Sequence, residues 1–273
     1  GRCNMAVTVM IKSLNALMTK MRKQKTMSSY NGCFAEFYDR LTDNVDYSAR
    51  TSYIRKLLHI AGVENGDLVD LGCGTCSLSL PLAKDSFRLT GVDLSEDMLS
   101  VAYNKLSDAG CDFSLINDKI EEFEPLSRVD ACISTLDTVN HITDDADVAK
   151  LFSNVFSYLK DGGVLVFDVN TVYKHKKILG DNSFIFDEDD FFLAWDNEQY
   201  DDNLVRIMLD FFVQTGDVYV RHSEEFFEKA YDIDYLKSML EETGFSVRDI
   251  YDDLSFEPPK ENSERVFFVC KKE

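Results

Sequence analysis

The chain has 273 residues, 45% hydrophobic and 29% charged, which is ordinary for a globular protein built as one large domain or as one domain carrying an insertion. Its formal net charge is −20, and so acidic a surface repels phosphate backbones, which disfavours a nucleic-acid partner. The seven cysteines form no regular framework, which indicates reduced thiols and a cytoplasmic location, and no run reaches the ~20 apolar residues of a membrane span.

The N-terminal segment is basic and has a loosely helical apolar pattern. We predict that residues 1–28 form a tail or an amphipathic helix outside the folded core. Residues 1–35 contain no acidic side chain, and their basic residues are Arg2, Lys12, Lys20, Arg22, Lys23 and Lys25. A core helix is predicted over residues 48–61, and Gly62 ends it.

A buried strand predicted over residues 68–71 runs directly into a glycine loop with the pattern Asp-x-Gly-x-Gly-Thr. Gly72 and Gly74 lack a Cβ atom, so the backbone can take otherwise costly dihedral angles and a ligand can approach the main chain. A helix is predicted over residues 77–83. The loop also contains a Cys-x-x-Cys pattern, but no second cysteine pair or histidine pair follows, which disfavours a zinc or redox site.

The next strand, predicted over residues 87–92, ends at Asp93, whose carboxylate can accept both ribose hydroxyls of an adenosine. A dinucleotide-binding fingerprint needs a third glycine where this chain has Ser77, and it does not require an acidic residue at the position of Asp70. A ligand with an ammonium group, in contrast, suits a carboxylate just before the loop. Ser95 is placed to cap the following helix.

The glycine loop followed by Gly-Val-Asp-Leu-Ser resembles the S-adenosylmethionine loop of class I methyltransferases, of the small bacterial type with an inserted antiparallel β-sheet lid. The resemblance implies an α/β fold with a Rossmann-like, doubly wound, seven-stranded sheet whose last strand is antiparallel. It implies S-adenosylmethionine as cofactor, S-adenosylhomocysteine as product, and neither a metal nor a covalent intermediate. The cofactor-binding residues it implies are Asp70, Gly72, Cys73, Gly74, Thr75, Asp93, Leu94, Asp118, Lys119, Ile120 and Leu136.

Some of these residues have particular expected roles. The resemblance places Asp118, which follows the third strand at residues 112–116, beside the adenine amino group. An exposed turn aspartate is the alternative. Cys76 stands where such loops usually have a third glycine, so we expect its backbone to be shifted or its thiol to be turned away. Tyr38 and Tyr47 are candidates for lining the methyl-transfer cavity, or else they pack a helix onto the sheet.

The fourth strand, predicted over residues 129–135, leads into an exit loop at residues 136–141 that is expected to face the sulfonium. Its polar side chains are Asp137, Asn140 and His141. The loop resembles the Asp-Ser-x-Asn-Tyr stretch of the same family, with Thr138 and His141 as departures, and it lacks the Asn-Pro-Pro-Tyr pattern of nitrogen methyltransferases that act on amides or nucleobases. His141 is the best-placed candidate base, since imidazole titrates near pH ~6.5, or it binds the cofactor or the sheet.

Beyond a helix at residues 144–160, ended by Gly162 and Gly163, and a strand at residues 164–169, the pattern changes. Residues 173–229 are predicted to form an inserted antiparallel β lid, while residues 29–172 and 230–273 form the core. Residues 181–202 contain nine acidic and no basic residues, which suits either a cationic substrate or a solvated face. The candidate substrate-pocket residues are Asp137, Asn140, Tyr173, Trp195, Arg206 and His222.

We therefore predict an S-adenosylmethionine-dependent methyltransferase that acts by in-line displacement on an unidentified, small-molecule acceptor, with no nucleic-acid or membrane partner. The alternatives are a protein or RNA methyltransferase and a non-catalytic protein that binds S-adenosylmethionine. The oligomeric state stays open.

Overall fold

The computed structural model describes residues 45–189, 191–201 and 203–273, so the predicted N-terminal segment and Tyr38 lie outside the described residues. The α-helices in this part of the chain are α1 Tyr47–Ile60, α2 Leu80–Asp85, α3 Glu96–Asp108, α4 Asp145–Tyr158 and α5 Ile233–Thr243. A 3-10 helix covers Thr138–His141 and a π-helix covers Lys174–Leu179. The strands are β1 Gly66–Leu71, β2 Phe87–Asp93, β3 Phe113–Asn117, β4 Val129–Ser134, β5 Leu159–Asn170, β6 Ser183–Asp187, β7 Phe191–Gln199, β8 Leu204–Thr215, β9 Val218–Lys229, β10 Ser246–Asp252 and β11 Arg265–Lys271.

The main sheet has seven strands in the order β10-β11-β5-β4-β1-β2-β3. The pairs among β1 to β5 are parallel, whereas β11 pairs antiparallel with both β5 and β10. This confirms the predicted doubly wound sheet with an antiparallel last strand. The strand order reverses between β1 and β4, and in open α/β sheets ligands bind beyond the carboxyl ends of the strands at such a point.

Two apolar clusters pack the helices onto opposite faces of this sheet. One contains α4 and α5 residues such as Phe152 and Leu240, and the other contains α1 and α3 residues such as Leu57 and Leu106. Strands buried on both faces explain the nearly continuous apolar runs of β4, β5 and β11. The layers fix the carboxyl ends of β1, β2 and β4 at one edge, where the site is built.

The helix ends follow local chemistry. The Ser95 hydroxyl accepts a hydrogen bond from the Met98 N–H at 3.2 Å, which confirms Ser95 as the predicted cap of α3. Gly244 ends α5 with a φ of 113°. The helix predicted over residues 77–83 begins later, at Leu80, with Pro81 in its first turn where the missing N–H costs nothing.

The predicted end of the fourth helix was wrong. α4 ends at Tyr158, and Leu159 is already extended, so Gly162 and Gly163 lie inside β5 instead of after the helix. The register shifts between the pairs formed by Val129 and Ala131 with β5, and the Gly162 N–H donates to the Lys272 carbonyl oxygen at 2.7 Å. Pairing with the chain end therefore extends the strand through the two glycines.

A second sheet of four antiparallel strands, in the order β6-β7-β8-β9, lies within residues 173–229 and is called the lid below. Alternate residues of β8, including Val205, Ile207 and Phe211, are buried and pack in one cluster with Met98 of α3. The apolar face of the lid is thus turned towards α3. No helix among the described residues is long and apolar enough to cross a membrane.

Candidate active site

A cleft of about 1050 Å³, including the part open to solvent, lies beyond the carboxyl ends of β1, β2 and β4. The predicted site residues that line it are Tyr47, Asp70, Gly72, Cys73, Gly74, Thr75, Asp93, Leu94, Ile120, Leu136 and His141. The lining residues that sequence reasoning missed are Ser77, Leu78, Ser95, Met98, Thr135, Thr138 and Ile142.

The glycine loop turns sharply at the end of β1. The N–H groups of Gly72 and Cys73 both donate to the Val92 carbonyl oxygen, at 2.8 and 3.0 Å, and Gly72 has a φ of 73°. Cys76 has a φ of 57°, and its fully buried side chain does not line the cleft. The thiol is thus turned away, one of the two arrangements expected from the missing third glycine.

Gly72 also faces the exit loop. A Cβ atom at this position would lie 2.3 Å from Cγ2 of Thr138, whereas one at Gly74 would meet nothing within 4 Å. We expect Gly72→Ala to lower the free energy of unfolding by about 1–3 kcal/mol, because the left-handed backbone and the clash both oppose it. Gly74→Ala has the same backbone penalty without the clash, and urea unfolding compares the two. Equal losses would show that contact with Thr138 does not matter.

Asp93 ties the loop to the next helix. Its Oδ2 accepts from the Gly74 N–H at 2.9 Å and its Oδ1 from the Ser95 N–H at 2.8 Å. Burial raises the pKa of Asp93, and these backbone hydrogen bonds oppose the rise. Each carboxylate oxygen keeps a second acceptor position, which suits the two ribose hydroxyls expected here.

Asp70 lies in β1, two residues before Gly72, and is only 3% exposed. Burial raises its pKa to about 7, the neighbouring Ser79 hydroxyl lowers it, and the charge of Asp93 adds to the rise. Because the folded-state pKa is raised, the folded protein holds a proton that the unfolded chain releases at lower pH. Asp70 therefore destabilises the ligand-free fold progressively as the pH rises from about 4 to 7.

This titration predicts a pH-dependent cofactor affinity. An ammonium group near Asp70 favours its ionised form, so we expect the affinity for S-adenosylmethionine to rise about tenfold from pH 5.5 to 7.0. Over this range the α-amino group of the ligand stays protonated. Calorimetry at several pH values measures the rise, and Asp70→Asn is expected to flatten it. Parallel profiles for the two proteins would mean that another group is responsible.

The end of the cleft that was predicted to bind adenine differs from that prediction in detail. Ile120 lines the cleft, but Asp118 and Lys119 do not. The Asp118 Oδ1 accepts from the Lys119 N–H at 2.8 Å, so the carboxylate is turned into its own backbone turn. The structure thus presents apolar side chains of Leu94 and Ile120 at this end.

Two exit-loop residues predicted to line a substrate pocket stabilise the fold instead. The fully buried Asn140 donates from Nδ2 to the carbonyl oxygens of Asn170 and Lys229, at 3.1 and 2.9 Å, and its Oδ1 accepts from the Asn170 N–H at 2.8 Å. The Asp137 carboxylate forms an ion pair with Arg265 at 2.7 Å. Neither residue lines the cleft, because both side chains are committed to other strands.

The four substrate candidates in residues 173–229 also lie elsewhere. Tyr173 lines a separate cavity beside Tyr231, and the Trp195 indole N–H donates to Asn197 at 2.6 Å within the lid. Arg206 alternates with buried lid residues and pairs with acidic side chains on the outer face. His222 lies in β9 opposite Phe211 of β8 and does not line the cleft.

Buried charges outside the cleft hold its exit loop in place. Asp168, fully buried at the end of β5, accepts from the N–H groups of Leu136 and Asp137 at 2.9 and 3.0 Å. Leu136 and Asp137 have φ values of 56° and 62°, a conformation that costs free energy in non-glycine residues. Arg265, from β11, bonds both Asp168 and Asp137. These hydrogen bonds and ion pairs together hold the strained turn that precedes His141 in place.

Comparison with known proteins decides the family. A family model described as a methyltransferase domain matches residues 68–163. A relative from Geobacillus sp. that is named as a methyltransferase is 36% identical over 242 residues, 88% of this chain and 98% of the relative. A crystal structure of an S-adenosylmethionine-dependent methyltransferase from Clostridium acetobutylicum shares 33% identity and a TM-score of 0.82, covering 87% of this chain and 97% of that one. The chain belongs to the S-adenosylmethionine-dependent methyltransferases.

Family membership identifies the cofactor of this protein. A similarly named relative from Bacillus subtilis is 33% identical over 244 residues, so this family spans the lid as well as the core. The predictions of a methyltransferase, of the class I fold and of S-adenosylmethionine as cofactor are confirmed. The glycine loop, Asp70 and Asp93 line the cleft together with the apolar residues Leu94 and Ile120, which follow β2 and β3.

Proposed function

We propose that this methyltransferase transfers the methyl group of S-adenosylmethionine to a small-molecule acceptor. The observation that carries the proposal is the lid closing over the exit loop. Phe226 of β9 lies against the His141 ring, with centroids 5.1 Å apart, and Met98 contributes both to the cleft lining and to the apolar cluster of the lid. An acceptor that reaches the cofactor must fit under this cover.

Charge supports the same conclusion. The net charge of −20 disfavours approach of an RNA backbone, and the lid contributes an acidic stretch between residues 181 and 202. A relative from Streptomyces venezuelae, 28% identical over 134 residues that include only 48% of this chain, is named as an N,N-dimethyltransferase of a nucleotide-linked amino sugar. A small acceptor is thus compatible with this cofactor domain.

The bound cofactor supplies an already activated methyl group, so the protein mainly has to align a nucleophile and exclude water. The loop amides and Asp70 bind the amino-acid end, and Asp93 fixes the ribose. The exit loop, held by Asp168 and Arg265, presents His141 to the cleft. There His141 takes the proton that the acceptor loses.

The test is a methyl-transfer assay with labelled S-adenosylmethionine and a bacterial extract separated into small molecules, proteins and RNA. We expect label to enter the small-molecule fraction only, and Asp93→Ala to abolish the transfer. Label in protein or RNA would contradict a small acceptor. Tight cofactor binding without label in any fraction would favour the non-catalytic alternative.

A further inference from the structure

The last residues of lid strand β9 contact the 3-10 helix that contains His141. The Lys229 carbonyl oxygen accepts from Asn140 Nδ2 at 2.9 Å, and Lys229 Nζ forms an ion pair with Asp145 at 2.6 Å. Phe226 packs against the His141 ring. Phe226 and Lys229 lie on either side of Glu228 in the strand, so their contacts fix the position of Glu228 relative to His141.

Glu228 is 4% exposed, and its carboxylate faces the exit loop. One oxygen of Glu228, one ring nitrogen of His141 and one oxygen of Asp137 all lie within 4.8 Å of one another. Asp137 already pairs with Arg265 at 2.7 Å. Asp137 is thus already paired with an arginine, whereas Glu228 forms no ion pair with an arginine in the described part of the chain.

Two further groups contact the Glu228 carboxylate within hydrogen-bond range. Its Oε2 lies 3.4 Å from His175 Nε2 and 3.3 Å from Asn170 Nδ2. Burial raises the pKa of Glu228, but the hydrogen bond from His175 and the charges of His141, His175 and Lys174 outweigh it, so the pKa is lowered. The side chain is thus a buried carboxylate anion at neutral pH.

The charges around Glu228 favour a protonated imidazole beside it. The carboxylates of Asp137, Asp168 and Glu228 lie near the cations Arg265 and Lys174, and the Asp93 carboxylate also acts on His141. These carboxylates outnumber the two cations when the imidazoles are neutral. An imidazolium therefore lowers the cost of the buried negative charge.

We propose that Glu228 is the positioning residue for His141, and that the pair accepts the proton of the methyl acceptor. The proposal rests on the proposed function. In this step the acceptor nitrogen or oxygen bonds to the methyl carbon, and the carbon–sulfur bond breaks with its electron pair left on sulfur. The proton moves from the acceptor to His141, Glu228 stabilises the imidazolium, and water later removes that proton.

The pair also defines the chemical class of acceptor. A base is useful only when the nucleophilic atom still carries a proton as it enters the site, as in an amine or a hydroxyl group. The carboxylate of Glu228 fixes one ring nitrogen as the N–H donor, which leaves the other as the proton acceptor towards the cleft. The lid therefore contributes a functional side chain in addition to covering the site.

The test is nitrogen NMR of the histidine rings, recorded without any acceptor. The chain has four histidines, so His141 is identified by the signal lost in His141→Gln, and His59 and His222 serve as internal references. At a pH where imidazole is neutral, we expect wild-type His141 to hold a single tautomer and Glu228→Met to produce a mixture. The matched control is Glu225→Met, which removes an exposed carboxylate from the same strand.

An unchanged His141 tautomer in folded Glu228→Met would overturn the proposal, and so would a metal ion that binds with His141 and Glu228 as ligands. If the variant does not fold, the carbon chemical shift of the Glu228 carboxyl group is compared between the wild type and His141→Gln. A carboxylate that pairs with His141 must change its shift when His141 is replaced, and an unchanged shift would overturn the proposal. These spectra need neither cofactor nor acceptor, so they test the role of Glu228 separately from the proposed function.

Once an acceptor is known, Glu228→Met is expected to lower kcat about 10²-fold at an unchanged KM for S-adenosylmethionine.

Discussion

Arg265→Met is expected to lower the free energy of unfolding by about 3–5 kcal/mol, because it breaks a buried ion-pair network by removing its cation. Arg265 is 7% exposed and pairs with Asp168, which is fully buried, and with Asp137. Methionine nearly fills the volume but leaves the carboxylates of Asp168 and Asp137 without the cation that pairs with both. Urea unfolding at neutral pH measures the loss.

The control for this variant is Arg248→Met, which removes an exposed arginine from its ion pair with Glu273. Exposed pairs contribute about 0–1 kcal/mol, so this change is expected to be nearly neutral. Similar losses for the two variants would contradict a special role of the buried network. A further consequence is that Arg265→Met loosens the strained exit loop, so cofactor affinity falls as well.

Asp93→Ala is expected to weaken S-adenosylmethionine binding by about 100-fold or more, because it removes two effects at once. The ribose loses hydrogen bonds to a charged acceptor, each contributing about 1.5–3 kcal/mol. The loop also loses its anchor, since the Gly74 and Ser95 N–H groups no longer meet a carboxylate. Calorimetric titration of the folded variant measures the affinity.

Glu96→Ala is the matched control for this change, because Glu96 is an exposed acidic residue in the first turn of α3, three residues from Asp93. We expect it to leave the affinity within about twofold of wild type. Comparable losses from the two substitutions would mean that general negative charge near the cleft, and not the Asp93 carboxylate, determines binding.

The cofactor half of the cleft could be predicted because its parts are close in sequence. Asp70, the glycine loop and Asp93 lie within one strand-loop-helix-strand unit, where residue type and spacing determine the geometry. The alternation of strands and helices indicates the parallel part of the sheet, and the resemblance to class I methyltransferases implies the full seven strands with an antiparallel last strand. The predicted division of the chain into core and lid stays a prediction, although the four lid strands lie within residues 173–229.

The acceptor side could not be predicted, because it is built from distant parts of the chain. Arg265 meets Asp137 across 128 positions, and Asn170 meets Glu228 across 58. Alternation of apolar residues predicts which face of a lid strand is buried, but not which residue of that face reaches His141. Asn140 shows the same limit, since its position in the exit loop suggested a ligand whereas its side chain satisfies buried backbone groups.

The most direct test of this account is a crystal structure of the protein with S-adenosylhomocysteine. We expect both ribose hydroxyls on Asp93, the amino group near Asp70, and the sulfur facing the exit loop on the side of His141. Ribose bound away from Asp93, or a sulfur atom shielded from His141, would contradict the site and the base proposed here.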